Sequence, residues 1–327
     1  MRNRLFVGAA VMIVGAGLGV SLTSCTSTGS ATTCPLTGTP APGGQVPQRP
    51  ALAMKVDNYP AARPQSGLDK ADVVFEEPVE GLITRLVAVF QCQDAPSVGP
   101  LRSARAVDVQ ILSQLSDPVF VHVGGIQPVL ERLAQANLTD VDALRNGSVV
   151  TLNPARVAPY STYSSTAAGW SQDSSDTTPP APIFSYSSNP PAGTAVASVR
   201  IPFSPTNDVR WTWNAVAHRW ALAESGKPAT VADDGQITTT NVVVQTVQVT
   251  LGPWLENDVG GLEVQSKLIG SGPLEVFRDG LKITGTWHRS SSTSATTLTA
   301  ANGNAIALAP GPTWVEIVPT TVAVTAN

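Results

Sequence analysis

Histidine and cysteine are scarce in this chain, three of each in 327 residues, and charged residues make up only 13%. Three scattered histidines argue against a histidine-rich metal centre. The usual enzyme signatures are also missing: there is no G-x-S-x-G, S-x-x-K, H-E-x-x-H, P-loop or C-x-x-C. No catalytic residue, metal or cofactor is therefore expected from motifs. The formal net charge of −4 lacks the basic footprint of a nucleic-acid binder, so no nucleic-acid partner is expected. Thr, Ser, Ala, Pro and Gly take the place of charge. That composition suits an envelope protein but specifies no activity.

What is present begins at the N-terminus. Arg2 and Arg4 precede an apolar stretch from Leu5 to Leu22, the layout of a secretory signal peptide at 1–24. The stretch is too rich in glycine and too short for a confident spanning helix, which needs about 20 strongly apolar residues. It closes on Leu22-Thr23-Ser24-Cys25, which resembles the lipobox of bacterial lipoproteins. That resemblance implies cleavage before Cys25, lipid on its thiol, and anchoring at the extracytoplasmic face of the cell membrane. The alternative is an ordinary signal peptide with a chance cysteine. Loss of Arg2 and Arg4 would take the mature charge from −4 to −6. With Cys25 lipidated, Cys34 and Cys92 remain in an oxidising compartment, where an even pair favours a disulfide.

Residues 25–48 read as a flexible, lipidated tether with little apolar surface to bury. A second proline-rich stretch, 171–195, reads as a linker. Between them, 49–170 alternates strand and helix patterns. Leu52–Asp57, Asp72–Val79, Ile83–Gln91, Val119–Val123 and Ser148–Leu152 are expected strands; Ser103–Leu115 and Gln127–Ala136 carry helical spacing. Residues 196–320 hold short runs rich in Val, Ile, Thr and Trp, with Asp279-Gly280 placed as a tight hairpin turn. The class expected is α+β: an N-terminal mixed α/β domain, then a mostly antiparallel β domain. Trp211, Trp213 and Trp220 are expected to form a small aromatic core rather than a glycan-stacking platform.

The stretches VDN, ARPQSGL, ADVVFE, VEG-ITR and GP-RSAR between residues 56 and 105, in that order, resemble the N-terminal domain of the YerB-like lipoproteins. NVVVQ at 241–245, FRDGLKITGTWHR at 277–289 and PGPTWVEIVP at 310–319 are similar to that family's second domain. The resemblance implies a two-domain envelope lipoprotein of unknown function and supplies no reaction. Relatives tend to show an Ala-Pro-His-Asn-like segment where this chain has Ala158-Pro159-Tyr160-Ser161, so an imidazole is lacking there.

The charged and polar positions that could bind a ligand are Asp57, Asn58, Arg63, Glu76, Glu80, Arg85, Arg102, Ser103 and Arg105. A two-residue turn at Gly81-Leu82 would set Glu80 opposite Ile83 and Pro78 opposite Arg85. In that register Glu76, Glu80 and Arg85 share a face, and Glu77 lies on the other with Val73, Phe75 and Val79. Glu76 and Glu80 would stand about 13 Å apart along the strand. That exceeds the roughly 5–9.5 Å of a glycosidase pair. Ser103 is a reasonable N-cap, and Arg102 and Arg105 beside a helix start could take a carboxylate or phosphate. Alternatively, these arginines neutralise Glu76, Glu77 or Glu80. The function expected is binding of an envelope ligand, a cell-wall component or partner protein. The alternative is a cell-wall polymer hydrolase using Glu76 or Glu80 as acid or base.

Overall fold

The computed structural model describes residues 32–232, 235–256 and 260–327. Cys25, the signal segment and the lipobox lie outside them. The first expected strand, β1 (Leu52–Asp57), is buried along its whole length. Its neighbours β2 (Val73–Val79) and β3 (Ile83–Phe90) are nearly so. Near-continuous apolar runs of this kind belong to strands covered on both faces. After them come helix α1 (Ala106–Leu112), β4 (Val119–His122), helix α2 (Gln127–Ala134) and β5 (Thr139–Asp142). The later half adds β6 (Ser198–Ser204), β7 (Asn207–Asn214), β8 (Arg219–Glu224), β9 (Asn241–Val247), β10 (Val249–Leu255) and β11 (Leu262–Ser266). It ends with β12 (Gly270–Arg278), β13 (Leu281–Arg289), β14 (Thr297–Ala300) and β15 (Thr313–Pro319). The described residues are mostly β, with few and short helices.

Strands from both halves join one large sheet in the order β14-β13-β12-β9-β15-β2-β3-β1-β4-β5. The last of them in sequence, β15, lies between β9 and β2 and runs parallel to both. One face of this sheet packs against a second sheet built from β6, β7 and β8, burying Val199, Ile201, Trp211, Trp220 and Leu222 with Met54, Leu86 and Trp314. The other face is covered by α1 and α2 through Val107, Ile111, Val129 and Leu133. The expected aromatic core is present. Trp211 meets Trp314 edge-on at 5.3 Å, Trp213 lies 5.2 Å from Trp220, and Trp220 meets Phe277 at 5.8 Å. Asp279 and Gly280, with φ of 53° and 73°, close the β12–β13 hairpin as expected.

Three local expectations are corrected. The β2–β3 turn takes three residues, Glu80–Leu82, with Gly81 at φ 77°, so Val79 pairs with Ile83, Pro78 with Thr84 and Glu77 with Arg85. A slip of one residue exchanges the faces of every side chain on one strand. Arg85 therefore sides with Glu77, and Glu76 faces away from it. Helix α1 starts at Ala106 rather than at Ser103. The preceding backbone is spent on extended pairing, Arg102 N–H donating to the Lys55 carbonyl and Ala104 N–H to that of Gly124. Arg105 is the N-cap residue, and the Asp108 carboxylate accepts its N–H at 2.6 Å. Finally, among the described residues, parts of the segments expected as tether and linker are docked on the fold. Leu36 and Val46 are buried, Cys34 is bonded to Cys92, Ile183 enters the core, and the Tyr186 hydroxyl donates to the Leu36 carbonyl.

Candidate functional site

The nine candidate residues separate onto two sides of the main sheet. Asp57 and Arg85 are register partners on β1 and β3, hence on one face. Together with Glu80, Arg102, Ser103 and Arg105 they line a cleft of about 390 Å³. Asn58, Arg63 and Glu76 belong to a polar network on the opposite face.

Within the cleft, Arg105 clamps Glu80: its Nε donates to Glu80 Oε2 at 2.9 Å, its Nη2 to Oε1, and its Nη1 to the Ala104 carbonyl at 2.8 Å. Arg85 reaches Glu80 Oε1 at 3.3 Å and the Ser103 carbonyl at 3.0 Å, while its Nε is buried without a hydrogen-bond acceptor. Ser103 thus contributes backbone rather than a capping hydroxyl. Burial pushes the Glu80 carboxyl up, but the Arg105 bonds and the Arg85 charge more than offset it, so it lies below its ordinary value. Burial, reinforced by the Arg105 charge, lowers Arg85 to about 10. Arg102 is the most solvent-accessible of the three guanidiniums, its side chain 31% exposed, with Nε 3.0 Å from Asp57 Oδ2. The other Asp57 oxygen accepts the Tyr59 N–H. The arginines therefore neutralise Glu80 and Asp57, not Glu76 or Glu77.

Three further cleft residues were not among the nine candidates. Tyr59 and Tyr160 are stacked, their ring centroids 6.5 Å apart and their planes within 4° of parallel, and both line the cleft. Glu256, at the end of the β10 arm, brings a carboxylate to 3.3 Å from Arg105 Nε. Burial, the leading cause, raises its carboxyl above the ordinary value.

On the opposite face, Glu76 accepts from Thr84 Oγ1 at 2.7 Å, from Asn58 Nδ2 and Asn207 Nδ2 at 3.2 Å, and from Trp314 Nε1 at 3.2 Å. Its register partner on β15 is Glu316. Burial and the Glu76 charge push the Glu316 carboxyl well up. Glu224 pairs with Arg63 at 2.8 Å and accepts from Asn58 at 3.0 Å; burial raises it to about 7. Arg63 and Glu224 also line a second cavity of about 420 Å³. Glu77 lies in a third buried cluster with Lys55 and Asp108. Among the described residues, no group of His, Cys, Asp and Glu is arranged to hold a metal ion, and no helix is long and apolar enough to cross a membrane.

Residues 36–178 match the family described as "Protein of unknown function (DUF3048) N-terminal domain", and residues 199–315 match its C-terminal domain. "Putative lipoprotein YerB" of Bacillus subtilis (strain 168) is 42% identical over 124 residues, which is 37% of this chain and 37% of that protein. The aligned segment thus spans little more than a third of the relative's length. The crystal structure of YerB protein from Bacillus subtilis superposes with a TM-score of 0.78 at 24% identity, covering 90% of this chain and all of that one; at that identity it speaks to the fold. Two successive domain matches over most of the chain, joined to a segment of 42% identity, place it: the chain belongs to the DUF3048 family, homologous to the lipoprotein-named YerB of Bacillus.

Proposed function

We propose that this protein is an extracytoplasmic lipoprotein, anchored through lipid on Cys25, that binds an anionic, cell-wall-type ligand in the Arg85–Arg102–Arg105 cleft. In this reading residues 1–24 are the signal and 25–48 carry the anchor. Residues 49–170, a mixed α/β unit, supply most of the cleft; 171–195 lead to the β unit at 196–320. The observation that carries the reading is spare donor capacity. Arg105 is saturated by Glu80 and Ala104, whereas Arg102 makes one side-chain contact, to Asp57, among the described residues. Its two terminal nitrogens are free to form the paired bonds that guanidinium makes with carboxylate or phosphate. The parallel tyrosine rings beside it offer apolar surface to the body of a ligand.

The hydrolase alternative has less support. Glu80, bonded by two arginines and held below the ordinary range, is ionised at neutral pH and cannot donate a proton as an acid. Glu76 is fully buried on the other side of the sheet.

Two measurements test the proposal. Cys25→Ser should move the protein from the membrane fraction to the soluble fraction; unchanged membrane retention removes the anchor. The full-length chain in detergent should bind soluble cell-wall fragments, and Arg102→Ala should weaken that binding at least about tenfold, the scale of a lost charge-assisted pair. Equal affinity in the two proteins, or binding by neither, ends the anion reading.

A further inference from the structure

The cleft has unfilled hydrogen-bonding capacity of both signs. On one side are donors: Arg85 Nε, buried without an acceptor, and the terminal nitrogens of Arg102. On the other is Glu256, whose side chain is withdrawn from solvent and whose two oxygens both lack a hydrogen-bond donor. Its neighbour Arg105 comes within 3.3 Å but spends its N–H groups on Glu80 and the Ala104 carbonyl. A carboxylate buried with its lone pairs unfilled is costly. An anion alone would satisfy the arginines and leave that cost in place. A cation alone would do the reverse.

Charge balance points the same way. Among the described residues, three guanidiniums, Arg85, Arg102 and Arg105, face three carboxylates, Asp57, Glu80 and Glu256, so their charges sum to zero. An occupant that excludes water from such a lining is best tolerated if it is itself neutral overall while carrying both charges. The volume, about 390 Å³, suits a small molecule.

From this we infer that the cleft takes a small zwitterion of amino-acid or short-peptide type, its carboxylate on Arg102 and Arg85, its ammonium on Glu256, and its body along Tyr59 and Tyr160. The inference rests on the anion reading of the same cleft and adds the second pole. Three donors on an ammonium match the two vacant Glu256 oxygens, and the added positive charge holds that carboxylate ionised.

The test uses the full-length chain in detergent and three probes: D-alanyl-D-alanine, its N-acetyl derivative, and its C-terminal amide. The free dipeptide should bind, and each blocked form should bind at least about tenfold more weakly, as expected for one lost charge-assisted contact. Glu256→Gln should erase the preference for the free amine while retaining the preference for the free carboxylate; Arg102→Ala should weaken the free and N-acetyl dipeptides and reduce the preference for the free carboxylate over the amide. Because the amine is altered on the probe, the comparison holds in the unmodified protein even if Glu256→Gln folds poorly. Equal binding of the N-acetyl and free dipeptides overturns the zwitterion and leaves the anion reading standing. So does failure of all three probes when cell-wall fragments bind through Arg102. If neither fragments nor probes bind, both readings fall.

Discussion

Lys55, Glu77 and Asp108 share a site with no solvent exposure, one ammonium between two carboxylates. Burial first, and then the Asp108 charge, raise Glu77 from 4.5 to about 8, so near neutrality the proton stays on Glu77 and the trio is electrically balanced. A carboxyl whose folded value exceeds its unfolded one contributes stability that is complete below the unfolded value and lost as pH rises through the folded one. Glu77 therefore loses its contribution as pH rises through about 8, and Glu224 through about 7. Glu80, shifted downward, contributes in the opposite sense, its share being lost as pH falls. The melting temperature should thus decline between pH 6 and pH 9. Glu77→Gln, which mimics the protonated form, should melt close to the parent near pH 4.5 and progressively above it as pH rises to about 8. Parallel pH profiles for the two proteins would contradict the assignment. Of the cleft residues, those within 57–105 were legible as charges in strand and turn patterns. Glu256 was not, because it lies some 150 residues from Arg105 along the chain and meets it only through folding.

At the scale of elements, two turns with left-handed glycines have different consequences. Gly81 turns the β2–β3 hairpin at φ 77° with open space where a Cβ would stand, whereas at Gly280, φ 73°, a Cβ would fall 2.7 Å from Trp213 Nε1. Gly81→Ala should cost about 1–2 kcal/mol, the strain of a left-handed residue alone. Gly280→Ala should cost more, because it also displaces a tryptophan packed on the aromatic core. Urea titration of both variants checks the order, and equal losses would refute it. Strand positions were readable because buried strands form apolar runs and turns concentrate Gly, Asp and Pro. The β2–β3 register was not: a two-residue and a three-residue turn fit the same residues, and the choice decides which face receives Arg85. The start of α1 was hidden for a related reason. Backbone donors at Arg102 and Ala104 that could have opened a helix are taken by Lys55 and Gly124, partners set by the sheet.

On the scale of the whole molecule, β15 joins beginning to end, running parallel between β2 and β9 and placing Glu316 beside Glu76. The family domains match residues 36–178 and 199–315; hydrogen bonding nevertheless runs across both in one sheet. Strand type, turn chemistry, the family resemblance, the aromatic core and the Cys34–Cys92 pair follow from the sequence itself, because each rests on local pattern or on a count of a few residues. The cleft with its two poles, the buried carboxyl clusters and the docking of 34–48 were decided only by the tertiary structure. Charge pairing and desolvation depend on distances in space, and no spacing along a chain encodes which distant carboxylate will arrive beside an arginine.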